Sequence, residues 1–83
     1  MDRELIRAGR GLLGWSQVDL ADRAGVNRRV VAAYESGERV PHKRNLDRLC
    51  QALEAAGVEQ ITREDGAIGV VIKADALALR RTT

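Results

Sequence analysis

Asn27, Arg28 and Arg29 follow a glycine at position 25 and open a short apolar-patterned segment. An arginine side chain is a planar fork of donors, and two of them can meet O6 and N7 of one guanine in the major groove of DNA. A good bidentate pair of this kind discriminates against the wrong base by about 1–3 kcal/mol. Set on the first turn of a helix, such side chains leave from the end that meets base edges. The same arginines could instead lie on phosphates or in water. Residue type alone leaves that open, and also which of the two reads.

The flanking residues must position this trio. Ser16 suits an N-cap, and Asp19 three residues on makes a weak capping box. A helix from Gln17 to about Ala24 follows, with Leu20, Ala21 and Ala24 inward. Ala21 is small enough to let the next helix cross closely. Gly25 supplies a left-handed turn residue, and Val26 fills the corner. Asn27 caps a further helix running to about Ser36, with Val31 and Tyr34 on its core side. Arg28, Arg29, Ala32 and Ala33 are left facing outward or sideways, and Gly37 stops the helix.

Before this pair, a helix is predicted from about Asp2 or Arg3 to Leu13, with Asp2 as its cap. Leu5, Ile6, Leu12 and Leu13 form an approximate stripe. Gly9 and Gly11 leave room for another helix or for a phosphate, and Gly14 ends the helix. After the pair, residues 38–44 read as a loop around Pro41. Another helix runs from about Lys43 or Asn45 to Ala56, with Leu46, Leu49 and Leu53 inward and Gly57 as its stop. The period then changes. Val58–Thr62 and Ala67–Lys73 read as strands joined at Glu64-Asp65-Gly66, a β-hairpin. Two strands are marginal alone, so the hairpin must pack on the helices or pair with a second copy. Asp75–Arg81 fits a short helix, an extended arm or disorder.

Composition sets the bounds. Eighty-three residues make one small domain, with residues 1–57 as the helical part and 58–83 as hairpin and tail of the same unit. Phe is absent, and Trp15 and Tyr34 are the only aromatics, so Leu, Val, Ile and Ala must build the core. The net charge is only +2, but the first 44 residues hold nine Lys/Arg against six Asp/Glu. The basic excess therefore travels with the arginine pair, as a phosphate-facing half requires. Cys50 is the single cysteine, sits in an apolar series and reads as a buried structural thiol in a reducing, cytoplasmic setting. His42 is the only histidine, which argues against a metal site. A Ser16–His42–aspartate triad is rejected because Ser16 is explained as a cap. Nothing else suggests an enzyme or a cofactor, and no run is long and apolar enough for a membrane span.

Arg10, Trp15-Ser16-Gln17, Leu20-Ala21, Gly25-Val26, Tyr34-Glu35-Ser36-Gly37, Pro41 and the leucines from Leu46 to Leu53 together resemble the helix-turn-helix family of the phage repressor and Cro proteins. The match spans about residues 3–57. The resemblance implies a mainly α fold, a lambda-repressor-like bundle of four helices, here with a C-terminal hairpin. It also implies binding to operator DNA as a dimer. It puts Asn27, Arg28, Arg29, Ala32 and Ala33 at base-reading positions, the two alanines against a thymine methyl or nothing. Gln17 would contact a phosphate and brace the first residues of the recognition helix. Ser36, Arg39, Lys43 and Arg44 would contact phosphates, and Arg10 and Glu35 would form an ion pair between helices. Trp15 reads as a cover over the end of the first helix rather than a stacking platform. Many repressors finish with a fifth helix used for dimerisation; here the predicted hairpin takes its place.

The expected partner is therefore double-stranded DNA, bound by a homodimer joined through residues 58–73. The competing reading is an antitoxin or accessory module that offers Ile68, Val70, Val71 and Ile72 as a strand edge to another protein.

Overall fold

Gly14 and Gly25 end two successive helices in the left-handed conformation, at φ 69° and 70°. Their placement cuts the helical part into short, packable pieces. The computed structural model describes residues 1–81, without the side chains of Arg80 and Arg81. Its elements are α1 (Arg3–Leu13), α2 (Gln17–Ala24), α3 (Arg28–Glu35), α4 (Lys43–Ala55), β1 (Val58–Thr62), β2 (Ile68–Ile72) and α5 (Ala74–Arg81).

Local chemistry explains most of the boundaries. At α2 the Ser16 hydroxyl accepts the Asp19 N–H at 3.0 Å, and the Asp19 carboxylate accepts the Ser16 N–H at 2.9 Å. The capping box is thus complete. Asn27 Oδ1 accepts the Arg29 N–H at 2.8 Å and starts α3. Asp2 stands at the N-cap position of α1 with extended backbone, but its side chain makes no capping bond, contrary to expectation. The helix start is held instead by the Ile6 N–H donating to the Asp2 carbonyl at 2.9 Å.

The core is Ile6, Leu20, Ala21, Val31, Leu49, Leu53 and Val58, all nearly inaccessible to solvent. It joins four helices and the first strand residue, so the hairpin is part of the packed unit. Gly9 lets this happen. A Cβ there would lie 3.1 Å from Val58 Cγ1 and 3.3 Å from Leu53 Cδ1. Gly9 thus admits one strand side chain and one helix side chain, and of the two expected neighbours, another helix or a phosphate, it is the helix that packs here. Gly11 faces open space.

β1 and β2 pair antiparallel, Val58 opposite Ile72 and Ile61 opposite Gly69. The connection is the three residues Glu64–Gly66, as the sequence suggests, closed by the Arg63 N–H donating to the Ala67 carbonyl at 2.8 Å. The Gly66 N–H donates to the Arg63 carbonyl at 2.9 Å, and Gly66 has φ 89°. This is a type I turn closed by a left-handed glycine. β2 is two residues shorter than the sequence suggests.

The segment left open by the sequence is a helix. A Cβ at Gly57 (φ 100°) would collide with the methyl of Ala76, so α5 is seated over the corner between α4 and β1. Five helices and a hairpin are therefore present among the described residues, and the hairpin adds to a fifth helix rather than replacing it. Positions 82 and 83 of the tail lie outside the described residues. Cys50 is half-buried rather than buried; it packs beside the core and receives a 3.7 Å contact from the Met1 nitrogen.

Candidate nucleic-acid interface

Arg28 and Arg29 stand exposed on the first turn of α3. Neither has an acidic partner among the described residues, so both guanidinium forks are available to a ligand. Ala32 and Ala33 lie one turn on and are half-buried.

Asn27 is committed in part. Its Oδ1 holds the Arg29 N–H, so only the amide nitrogen remains to donate. Bidentate reading of adenine needs both oxygen and nitrogen of the amide, and the cap leaves that oxygen one lone pair and holds it toward the Arg29 N–H. Ser36 is similarly engaged, its hydroxyl donating to the Ala33 carbonyl at 3.1 Å.

The loop after α3 folds back beside that helix. The Glu38 and Arg39 N–H groups both donate to the Ala33 carbonyl, at 2.9 and 3.2 Å. This turns Arg39, Val40 and His42 toward Arg29, Ala32 and Ala33 across an open concavity of about 520 Å³. Arginines at both walls give it a cationic lining, tempered by Glu38. Lys43 and Arg44 are exposed on the first turn of α4 and stand outside the concavity. Lys43 makes a loose pair with Asp47 at 3.7 Å, both side chains largely solvated.

His42 has a role that sequence reading missed. Its Nδ1 accepts the Arg44 N–H at 3.2 Å, so the imidazole is the N-cap of α4. A ring nitrogen two bonds from Cβ reaches that N–H much as an Asn oxygen does. The signal was available in its place between Pro41 and the first helical residue.

Behind the outward face lies the Arg10–Glu35 pair. Arg10 Nε donates to Glu35 Oε2 at 2.9 Å and Nη2 to Oε1 at 2.7 Å. Nη1 also donates to the Trp15 carbonyl at 2.9 Å. The carboxylate beside it raises the Arg10 pKa further above its usual value, against the opposing effect of burial. Gln17 Nε2 donates to Glu35 Oε1 at 3.3 Å. Gln17 therefore braces the last residue of α3, whereas the resemblance pointed to its first residues. The second amide hydrogen of Gln17 remains free to donate. Trp15 is packed against the core, with the Arg23 guanidinium 5.0 Å from its ring centre.

Among the described residues no three His, Cys, Asp or Glu side chains gather where they could hold a metal ion. None of the described helices is long and apolar enough to cross a membrane.

Two short capped helices meeting at Gly25, with cationic side chains at the tip of the second, define a helix-turn-helix unit. The helix-turn-helix family profile matches residues 6–57, more than half of the chain, and the protein belongs to that family. It is also similar to an uncharacterized HTH-type transcriptional regulator of Methanothermobacter thermautotrophicus (strain Delta H). The two are 40% identical over 67 residues, covering 78% of this chain and 97% of the relative.

Proposed function

We propose that this protein is a sequence-specific DNA-binding transcriptional regulator, a homodimeric repressor of the cytoplasm with no catalytic activity. Each protomer lays α3 in a major groove, and two copies read an inverted repeat whose half-site centres lie about 34–36 Å apart or a multiple of that. The observation that carries this reading is the pair of unpaired guanidinium groups, Arg28 and Arg29, on the capped first turn of α3. The relative's name as a transcriptional regulator supports it.

In this reading Arg28, Arg29 and Asn27 read base edges, Asn27 chiefly through its amide nitrogen because its oxygen caps α3. Ala32 and Ala33 admit a thymine methyl. Arg39, Lys43 and Arg44 neutralise phosphates, and the free amide hydrogen of Gln17 and the backbone around Ser36 fix the register without choosing sequence. Selection from random duplex DNA, repeated with the Arg28→Ala/Arg29→Ala variant, tests the reading. A symmetric motif lost in the variant is expected; selection of the same motif by the variant would overturn the assignment.

A second reading is favoured by exposed Ile61, Ile68 and Val71 on the hairpin. There the chain is an antitoxin or accessory subunit whose hairpin binds another protein. Sedimentation of the isolated chain separates the two: a stable homodimer favours the repressor, a monomer the accessory subunit.

A further inference from the structure

The ladder of the hairpin determines which edge is free to bond. The Arg63 N–H donates to the Ala67 carbonyl and the Lys73 N–H to the Gly57 carbonyl, both at 2.8 Å. In an antiparallel pair the residues that exchange such bonds alternate with residues whose peptide groups point away. Odd-numbered residues of the hairpin therefore face the opposing strand. The peptide groups of Ile68, Val70 and Ile72 point to the outer edge of β2, and no backbone bond joins them to another described element.

The side chains of β2 do nothing to guard that edge. Ile68-Gly69-Val70-Val71-Ile72 holds no charge, no polar group and no proline, the usual means of keeping edge strands apart. β1 has a comparable edge but carries Glu59, Gln60 and Thr62. Ile68 points the same way. Its register puts it on the core side with Val58 and Val70, yet it is 48% exposed.

We propose that β2 pairs antiparallel with β2 of a second copy of this chain, about a two-fold axis at Val70. The proposal rests on the homodimer reading above and gives it a register. Val70 faces Val70 of the second copy, Ile68 faces Ile72, and Gly69 faces Val71. All three outward-pointing residues then exchange both backbone bonds, which a register shifted by one residue would deny them. The core-side row of Ile68, Val70 and Ile72 continues across the axis and covers Ile68. Charge fits the same orientation: Lys73 at the end of one β2 lies beside the Glu64–Asp65 turn that begins the other.

The register is tested by cross-linking in a Cys50→Ala background. Gly69 and Val71 form the non-hydrogen-bonded pair, with Cα atoms about 4.5 Å apart, within the disulfide range of about 4.4–6.8 Å. Gly69 has open space around its Cβ direction, and Val71 is exposed, so Gly69→Cys and Val71→Cys suit the fold. Under mild oxidation the mixture of the two variants is expected to form a covalent dimer that neither forms alone. A chain that sediments as a dimer but gives no mixed link overturns the β2 register while leaving the homodimer reading in place. A chain that stays monomeric overturns both. Hydrogen exchange of the unmodified protein provides a check independent of substitution. The Val70 amide is expected to slow as concentration drives dimerisation, and an amide that stays fast in the dimer overturns the proposal.

Discussion

Arg10 and Glu35 are joined by two parallel hydrogen bonds, 2.9 and 2.7 Å long, between side chains only 18% and 4% exposed. The pair ties the end of α1 to the end of α3. Removing one partner of a buried pair leaves the other charge without compensation, which costs about 3–5 kcal/mol. Glu35→Ala is expected to destabilise the fold by about 3 kcal/mol, the low end, because Arg10 keeps the Trp15 carbonyl and some solvent. Arg10→Met combined with Glu35→Leu should recover much of that loss. Urea unfolding measures both, and a cost below about 1 kcal/mol for Glu35→Ala would show the pair to be energetically idle.

The arginines of α3 should behave differently from those of the loop. Arg28→Ala or Arg29→Ala is expected to weaken the selected sequence by about 1–3 kcal/mol while relaxing preference at one base position. A variant that loses affinity equally on every sequence marks that arginine as a phosphate contact instead. Binding measured on a panel of single-base operator variants distinguishes the two.

Arg39, Lys43 and Arg44 report through salt. Each phosphate contact removed should reduce the slope of log K against log salt by roughly 0.9. Replacing all three by Ala is expected to flatten the slope by roughly 2–3 and leave the preferred sequence intact. An unchanged slope would move these side chains off the backbone.

Gly57 and Gly66 both have positive φ, 100° and 89°, but only Gly57 has a neighbour in the way. Gly66→Ala should cost about 1 kcal/mol of backbone strain. Gly57→Ala should cost about 2–3 kcal/mol, because its methyl also displaces Ala76 and unseats α5. Thermal unfolding gives the difference, and limited proteolysis should release residues beyond Lys73 first in the Gly57 variant. Equal costs would show that α5 yields freely.

The capping box sets an acid-side dependence. Hydrogen bonds from the Ser16 N–H and hydroxyl hold the Asp19 carboxyl below the usual aspartate pKa. A lowered folded pKa means that the stabilisation is fully present above the unfolded value, about 3.9, and is lost as pH falls through the folded value beneath it. Asp19→Asn should remove that component, so that the stabilities of variant and parent converge at acid pH. A constant gap across pH 2–6 would assign the effect of the substitution to something other than the carboxylate's charge.

Much of the fold and of the candidate site follows from bonds that close within a few residues. Ser16 reaches Asp19, Asn27 reaches Arg29, and Gly14 and Gly25 turn the chain where they stand. Such features depend on residue type and spacing, so the sequence determines the start of α3 and the arginines on its first turn. The outcomes that needed tertiary structure join residues far apart. Gln17 turns to Glu35, Gly9 receives Val58, and Ala76 closes over Gly57. The loop carrying Arg39 and Val40 becomes a wall facing Arg29 because it folds back on the Ala33 carbonyl. No local preference selects these partners. They are chosen by which apolar faces fit together in one small core, and only the folded chain brings those faces to the same place.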